Sequence, residues 1–438
     1  MTTTWPRAFR LAALAAAFFL AIGVFALLHG GQGSLRSAAP RSAIAPPPPN
    51  ASTDTLIAAY QRILGTRPGN ASASATLASA YLQKVRETGD PSYYVRADGV
   101  LQAAQRTAPH DYRILAGLGT LALARHQFAS GLHYGLAALQ ADPSAEIAYP
   151  VIVDGQVELG RYRDAARTLQ RFVDSGPTLA SYARVSYFRE LHGDLAGAVQ
   201  AMRLAVSAGG AVPENVAYVQ TLLGNLEFDL GHLGQARDAY RTGLHSFPRY
   251  VAADAGLARL DAAQARFASA IARYRGIVAR LPLPEYVVGL GETELASGNV
   301  SRGIHDLALV RAEEKLLQAN GVNTDTDLAL FEANHGSPAA ALGLARRAWS
   351  EAPSVRSADA LGWALRRDGR PGAGLGWARH ALMLGSRDPM FLYHAGMSAL
   401  AAGDRVAARG YLRRAVALNP RFNPLYAPRA ERALAHLG

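Results

Sequence analysis

The stretch GLGTLALARHQFASGLHYGLAALQADP, Gly117 to Pro143, holds residue types that could do chemistry. Gly117-x-Gly119 could open a phosphate-cradling loop, in which backbone N–H groups meet an anion. His126 and His133 are imidazoles seven residues apart, and imidazole is a common metal ligand. Gly289-Leu290-Gly291 and GAGLG (Gly372 to Gly376) repeat the glycine theme. Glu292 with Glu294, and Glu313 with Glu314, are local acidic pairs of the kind used for general acid–base work. Each group has a plainer reading. A phosphate loop needs its glycines between a strand and a helix, and no strand signal precedes any of them. His126 falls at an inter-helix turn and His133 two turns later, with no carboxylate beside it. No metal or cofactor site is expected. The acidic pairs are expected on solvated helix faces. Gly-x-Ser-x-Gly, His-Glu-x-x-His and Gly-Lys-Ser/Thr are absent from the sequence, so no catalytic residue is assigned and no enzyme is expected.

The elements that hold these residues must be helical. Half of the 438 residues are hydrophobic and only 18 % are charged, which excludes general disorder. Ala, Leu and Gly supply most of the bulk, and small apolar residues suit closely packed helices better than sheets. The net charge is +11, yet all but Lys84 and Lys315 of the 45 basic residues are Arg, scattered without a tract or an aromatic-interleaved strip. A nucleic-acid partner is therefore not expected; an Arg- and Ala-rich composition suits a GC-rich bacterial genome. Cysteine is absent, which excludes disulfides and thiolate metal sites.

Leu11 to Leu28, LAALAAAFFLAIGVFALL, has no charge and no proline. At about 1.5 Å per residue it nearly spans a hydrocarbon core of roughly 30 Å. Arg7 and Arg10 precede it, so residues 1–10 are expected in the cytoplasm and the bulk of the protein outside, in the periplasm. Residues 11–28 read as an uncleaved inner-membrane signal anchor. The alternative is a signal peptide cut near Ala43-Ile44-Ala45, which would leave a periplasmic or secreted protein. Residues 29–53 read as a linker, with Pro46 to Pro49 extended and semi-rigid.

Beyond the linker one phrase recurs: GRYRDAARTLQRFV from Gly160, GDLAGAVQAMRLAV from Gly193, GHLGQARDAYRTGL from Gly231, GDRVAARGYLRRAV from Gly403. The residue two after each turn glycine, or its counterpart, falls at Phe128, Tyr162, Leu195, Leu233, Phe267, Val300, Pro338, Pro371 and Arg405. Successive spacings are 34, 33, 38, 34, 33, 38, 33 and 34. A period near 34 marks a repeat array.

The residue types resemble the tetratricopeptide repeat, a helix–turn–helix unit. Its first-helix pair is matched by Leu118-Gly119, Leu223-Gly224, Leu290-Gly291, Leu361-Gly362 and Ala395-Gly396. Its small second-helix residue is matched by Gly131, Ala165, Ala198, Ala236, Ala270, Gly303, Ala341, Gly374 and Ala408, and its terminal proline by Pro143, Pro177, Pro248, Pro282, Pro353 and Pro420. A weaker copy holds Tyr94, Ala97, Leu101, Ala104 and Pro109, and Leu56 to Pro68 looks like a lone second helix before it. The resemblance implies an all-α, right-handed superhelical solenoid of about ten repeats over 54–420, closed by a capping helix in 421–438. The glycine pairs then become packing positions, where a bulky side chain would force crossing helices apart. Two 38-residue spacings, near Gly209 to Pro213 and in EEKLLQANGVNTD (Glu313 to Asp325), predict bends into three sub-blocks.

The resemblance also implies protein recognition on the concave wall built by first helices. The expected inward residues are Arg113, Asn225, Arg259, Glu292, Trp363, Arg366 and Tyr393. Trp363 with Arg366 is the expected hot spot, and Arg356, Arg367 and Arg370 nearby favour an acidic or C-terminal segment. The expectation is a membrane-anchored scaffold that binds proteins or peptides to organise an envelope complex. The alternative is an accessory factor in exopolysaccharide or cell-wall biogenesis with a glycan-associated groove. Trp363 and Trp377 are the tryptophans expected to cluster. No set matches the family's Lys/Asn/Arg carboxylate clamp. Oligomeric state is not encoded in any recognisable way.

Overall fold

The computed structural model describes residues 51–209 and 212–437. The expected anchor at 11–28, its flanking arginines and the linker as far as residue 50 lie outside the described residues. Among the described residues no helix is long and apolar enough to cross a membrane.

A lone helix α1 (Thr53–Thr66) leads into antiparallel pairs. The first six are α2 (Ala71–Thr88) with α3 (Ser92–Thr107), α4 (Tyr112–Ala124) with α5 (Phe128–Ala141), α6 (Ala148–Glu158) with α7 (Tyr162–Ser175), α8 (Leu179–Leu191) with α9 (Leu195–Ala208), α10 (Pro213–Asp229) with α11 (Leu233–Ser246), and α12 (Val251–Ala263) with α13 (Phe267–Val278). Next come α14 (Pro284–Ala296) with the short α15 (Val300–Ala308), and an extra helix, α16 (Val310–Ala319). The last pairs are α17 (Asp325–His335) with α18 (Pro338–Glu351), α19 (Val355–Arg367) with α20 (Pro371–Ala381), and α21 (Pro389–Ala401) with α22 (Arg405–Leu418). A terminal helix, α23 (Tyr426–Leu437), packs on the last pair.

Local signals start and stop these helices. Asn70, Asp111, Thr178, Ser337, Ser354, Asp388 and Asp404 cap N-termini by accepting a backbone N–H. Proline opens α10, α14, α18, α20 and α21, where its missing N–H costs nothing. The turn inside most pairs uses one left-handed residue; the α17–α18 turn, at Gly336 (φ −137°), does not. Glycine supplies it at Gly160, Gly193, Gly231, Gly298, Gly369 and Gly403, while His126 (φ 58°) and Ala265 (φ 56°) take the same place in two repeats.

The crossings are as close as the small residues allow. A Cβ on Gly119 would lie 3.2 Å from the carbonyl oxygen of Gly131, and one on Gly374 would lie 2.7 Å from that of Gly362. Gly291 and Gly303 face each other in the same way. Ala165, Ala198, Ala236, Ala270, Ala341 and Ala408 are fully buried at the corresponding second-helix position. The glycine motifs are thus packing devices in helices, not phosphate loops. The exceptions are Gly372 and Gly376, which meet open space; only Gly374 of that run sits at a crossing.

First helices stack in three runs: α2–α4–α6–α8, α10–α12–α14 and α17–α19–α21. The runs meet at the two long spacings. The second of these folds into α16 rather than a loop, and it buries Glu314 at 3 % exposure.

The ribbon of helices coils until its edges touch. The His126 imidazole Nδ1 lies 2.7 Å from the Asn323 carbonyl oxygen, and Gln127 donates to the Gly321 carbonyl at 3.0 Å. The Tyr162 hydroxyl accepts the Val355 N–H at 2.8 Å. Asn419 Nδ2 donates to the Phe228 carbonyl at 2.7 Å. Leu191 shares one apolar cluster with Val355, Ala381 and Phe391. The hydrogen-bonded partners are 191 to 197 residues apart, between five and six repeats. Turns within early pairs therefore meet loops between late pairs along a continuous seam.

Candidate binding lumen

The coil encloses a lumen. Its larger cavity has a volume of about 710 Å³ and is bounded by α2, α3, α10, α12, α14, α17 and α19. Tyr94, Tyr218, Tyr250 and Tyr286 line it, among Leu82, Leu222, Val251, Leu281 and Leu283. The Tyr218 hydroxyl oxygen is buried without a hydrogen-bond partner. Burial pushes the Tyr94 hydroxyl up to about 12, so it stays neutral and a donor at ordinary pH. A smaller cavity of about 310 Å³ shares Leu222, Ala252, Glu285 and Tyr286 with the first, so the two lie side by side.

Charges in the lumen are mostly paired. Arg356 faces Glu158 and Asp327 at 4.0 and 3.7 Å. Glu214 accepts a hydrogen bond from Gln83, and Arg86 lies near enough to stabilise its carboxylate against the burial that raises it. Arg280 reaches Asp254 at 3.6 Å. Glu285 is different. It lines both cavities and forms no ion pair among the described residues. The side chain is exposed to the lumen, and crowding by the surrounding walls pushes its carboxyl up to about 7, with Asp327 adding like-charge repulsion.

The residues expected to face inward divide into three groups. Asn225 and Arg259 line the smaller cavity. Asn225 accepts the Tyr240 hydroxyl at 2.7 Å, while Arg259 pairs with Asp229 at 2.7 Å and lies over the Phe228 ring. Arg113 is half-buried at the start of α4, held to Asp111 at 2.6 Å, and lines neither cavity.

Trp363 and Tyr393 are core residues, 4 % and 2 % exposed, which corrects the expectation that they present a surface. The Trp363 indole donates to Asn334 at 2.8 Å and stacks on His394, and the Arg366 guanidinium covers its ring while donating to the Met397 carbonyl. Arg367 donates to the Ala333 carbonyl and Arg370 pairs with Asp368, so the positive field expected around them is largely spent internally. Trp377 pairs with Trp349, not Trp363.

The acidic pairs are also corrected. Glu292 and Glu294 are buried rather than solvated, as is Glu314, and Glu313 is half-buried. Glu292 does line the smaller cavity beside Asn225 and Arg259, as expected, but its carboxylate is already engaged. Burial would raise its pKa, but hydrogen bonds from His335 at 2.9 Å, Asn423 at 3.0 Å and Tyr426 at 2.9 Å outweigh it and hold the carboxyl below its usual range. Among the described residues no group of three or more His, Asp or Glu is placed to hold a metal ion.

Three of the lumen tyrosines, Tyr218, Tyr250 and Tyr286, had a legible signal, as part of a longer series. Tyr112, Tyr149, Tyr182, Tyr218, Tyr250 and Tyr286 recur near the start of six consecutive first helices. Their phase was obscured because helix starts shift by a few residues from repeat to repeat.

Residues 152–215 and 221–282 match the family model described as Tetratricopeptide repeat. These residues carry tetratricopeptide repeats. No curated protein matches it. Among solved structures, a component of the "APC/C hetero-tetramer Cut9-Hcn1" is similar at 17 % identity and a TM-score of 0.37, covering 88 % of this protein and 67 % of its own length. "A tetratricopeptide repeat protein from Parabacteroides merdae ATCC 43184" is similar at 16 % identity and a TM-score of 0.33, covering 63 % of this protein and 98 % of its own length. Likeness at these scores has no bearing on the path of the coil. The tetratricopeptide matches coincide with α6 to α13, and the same pairwise geometry continues on either side of them.

Proposed function

We propose that this tetratricopeptide protein is a membrane-anchored scaffold that holds an extended protein segment inside its lumen and thereby organises an envelope complex. The observation that carries this is the 710 Å³ cavity lined by tyrosine rings with an orphaned hydroxyl. Concave sites with an apolar wall and a few oriented polar groups are the usual places for ligands. Tyrosine supplies both contact area and a hydrogen bond at low entropic cost. The anchor at Leu11 to Leu28 and the outward orientation rest on the charge asymmetry of the sequence. The mechanism proposed is recognition without covalent chemistry.

Affinity purification from membranes tests the reading, comparing the native protein with Tyr250→Ala and Tyr218→Ala. A protein partner retained by the native form and lost from both variants supports it. An enriched polysaccharide with no protein would favour a glycan-handling role instead. A partner retained equally by all three would remove the lumen from the account.

A further inference from the structure

The described residues begin at the rim of the lumen. The Thr53 hydroxyl donates to Glu87, and Asp54 pairs with Lys84 at 2.7 Å. Glu87 itself lines the larger cavity. The sequence before Thr53 therefore joins α1 beside the cavity mouth. That stretch, Gln32 to Ser52, holds Arg36, Arg41, Pro40 and the run Pro46 to Pro49, and it contains no acidic residue.

The lumen offers the complementary chemistry. A proline-rich segment favours polyproline II, whose carbonyls have no internal partners and which docks on aromatic-lined grooves. Tyr218, Tyr250 and Tyr286 form such a wall, and the Tyr218 hydroxyl lacks an acceptor. Glu285 lines the lumen with no ion pair among the described residues, and a guanidinium is the group that best satisfies it. At ~3.1 Å per residue, an extended backbone between Ser52 and Arg41 would span roughly 34 Å.

We propose that the lumen is occupied by this protein's own segment 36–50, with its prolines on Tyr218, Tyr250 and Tyr286 and Arg41 on Glu285. The proposal rests on the lumen taking an extended segment and adds that the protein brings one of its own. A short tether gives an effective concentration on the order of millimolar, so weak intrinsic affinity suffices. A partner segment then binds by displacing the tail.

The sequence has no cysteine, so introduced thiols report cleanly. Full-length protein bearing Ala45→Cys with Ala252→Cys, the latter on the cavity wall, is treated with a short bis-maleimide in membranes. The control pair is Ala45→Cys with Gln235→Cys, on the exposed face of α11. An intramolecular cross-link about tenfold faster in the first pair is expected, as tethered docking requires. Adding Glu285→Lys, or replacing Pro46 to Pro49 with serine, should bring it down to the control rate without changing the helical melt. Equal rates in the two pairs would overturn the proposal. So would a cross-link between two molecules, which would make the occupant another copy's tail, or a mature protein beginning beyond Ala45. If the cross-link fails but an added peptide of sequence 36–50 is still captured, only the docked tail is lost. If both fail, the lumen reading falls as well.

Discussion

Trp363 and Arg366 show how a residue's type can mislead about its place. Both are frequent anchors at protein interfaces, and they lie one helical turn apart. Here the indole is sealed between His394, Tyr393 and Asn334, with Arg366 as its lid. Trp363→Ala should therefore cost about 3–5 kcal/mol in urea unfolding. Arg366→Ala should cost less and leave partner capture intact; loss of capture at an unchanged melting temperature would put the pair back in a binding site. Buried carboxyls give a second residue-scale prediction. Glu190 and Asp388 are buried near each other and near Asp229, and each has an oxygen without a partner. Burial first, then like-charge neighbours, pushes Glu190 and Asp388 well above the carboxylate range, and burial raises Asp229 to about 6. The folded protein thus keeps protons that the unfolded protein releases above about pH 4. Stability should fall as pH rises through that window, by up to about 1.4 kcal/mol per pH unit for each extra proton held. Urea midpoints from about pH 5 to about pH 8 check it, and Glu190→Gln should flatten the slope.

At the scale of elements, the crossings are testable. A Cβ on Gly224 already meets the Tyr240 ring at 2.5 Å, and Ala236 is fully buried. Leucine at either should cost about 1–3 kcal/mol, while Gln235→Leu on the exposed side of α11 should cost little; equal tolerance at all three would displace the repeat register. The turn glycines separate two effects. Gly403 has a left-handed backbone and open space around it, so Gly403→Ala should cost only the backbone strain, about 1–2 kcal/mol. Gly160 has the same backbone, but its added Cβ would lie 2.3 Å from the Pro353 carbonyl oxygen across the seam. Gly160→Ala should be the more damaging of the two, and thermal melts decide. Helices, crossings and turns were legible in the sequence because each is a local rule repeated many times. Gly119 and Gly131, for example, announce their contact through spacing alone. Glu292 could not be placed that way: His335 reaches it from the next pair across the inserted α16, Asn423 and Tyr426 come from the far end of the array, and their meeting depends on how far the coil turns per repeat. The lumen tyrosines were half-legible, periodic in sequence but meaningful only once the ribbon closes around them.

For the whole molecule, the proposed topology makes a fractionation prediction. The protein should stay in the membrane pellet through alkaline extraction, and deletion through about residue 45 should release a folded body, with solubility and circular dichroism as readouts. The seam has a larger consequence. Linear repeat arrays unfold by nearest-neighbour rules, so that stability adds up unit by unit and folding can start anywhere. In this protein the hydrogen bonds from Val355 to Tyr162 and from Asn419 to Phe228 tie early units to ones five or six places further on. Such ties close very long loops, which slows assembly and makes disassembly collective. Removing repeats from one end would then weaken hydrogen-exchange protection far along the array, in units whose immediate neighbours are all still present.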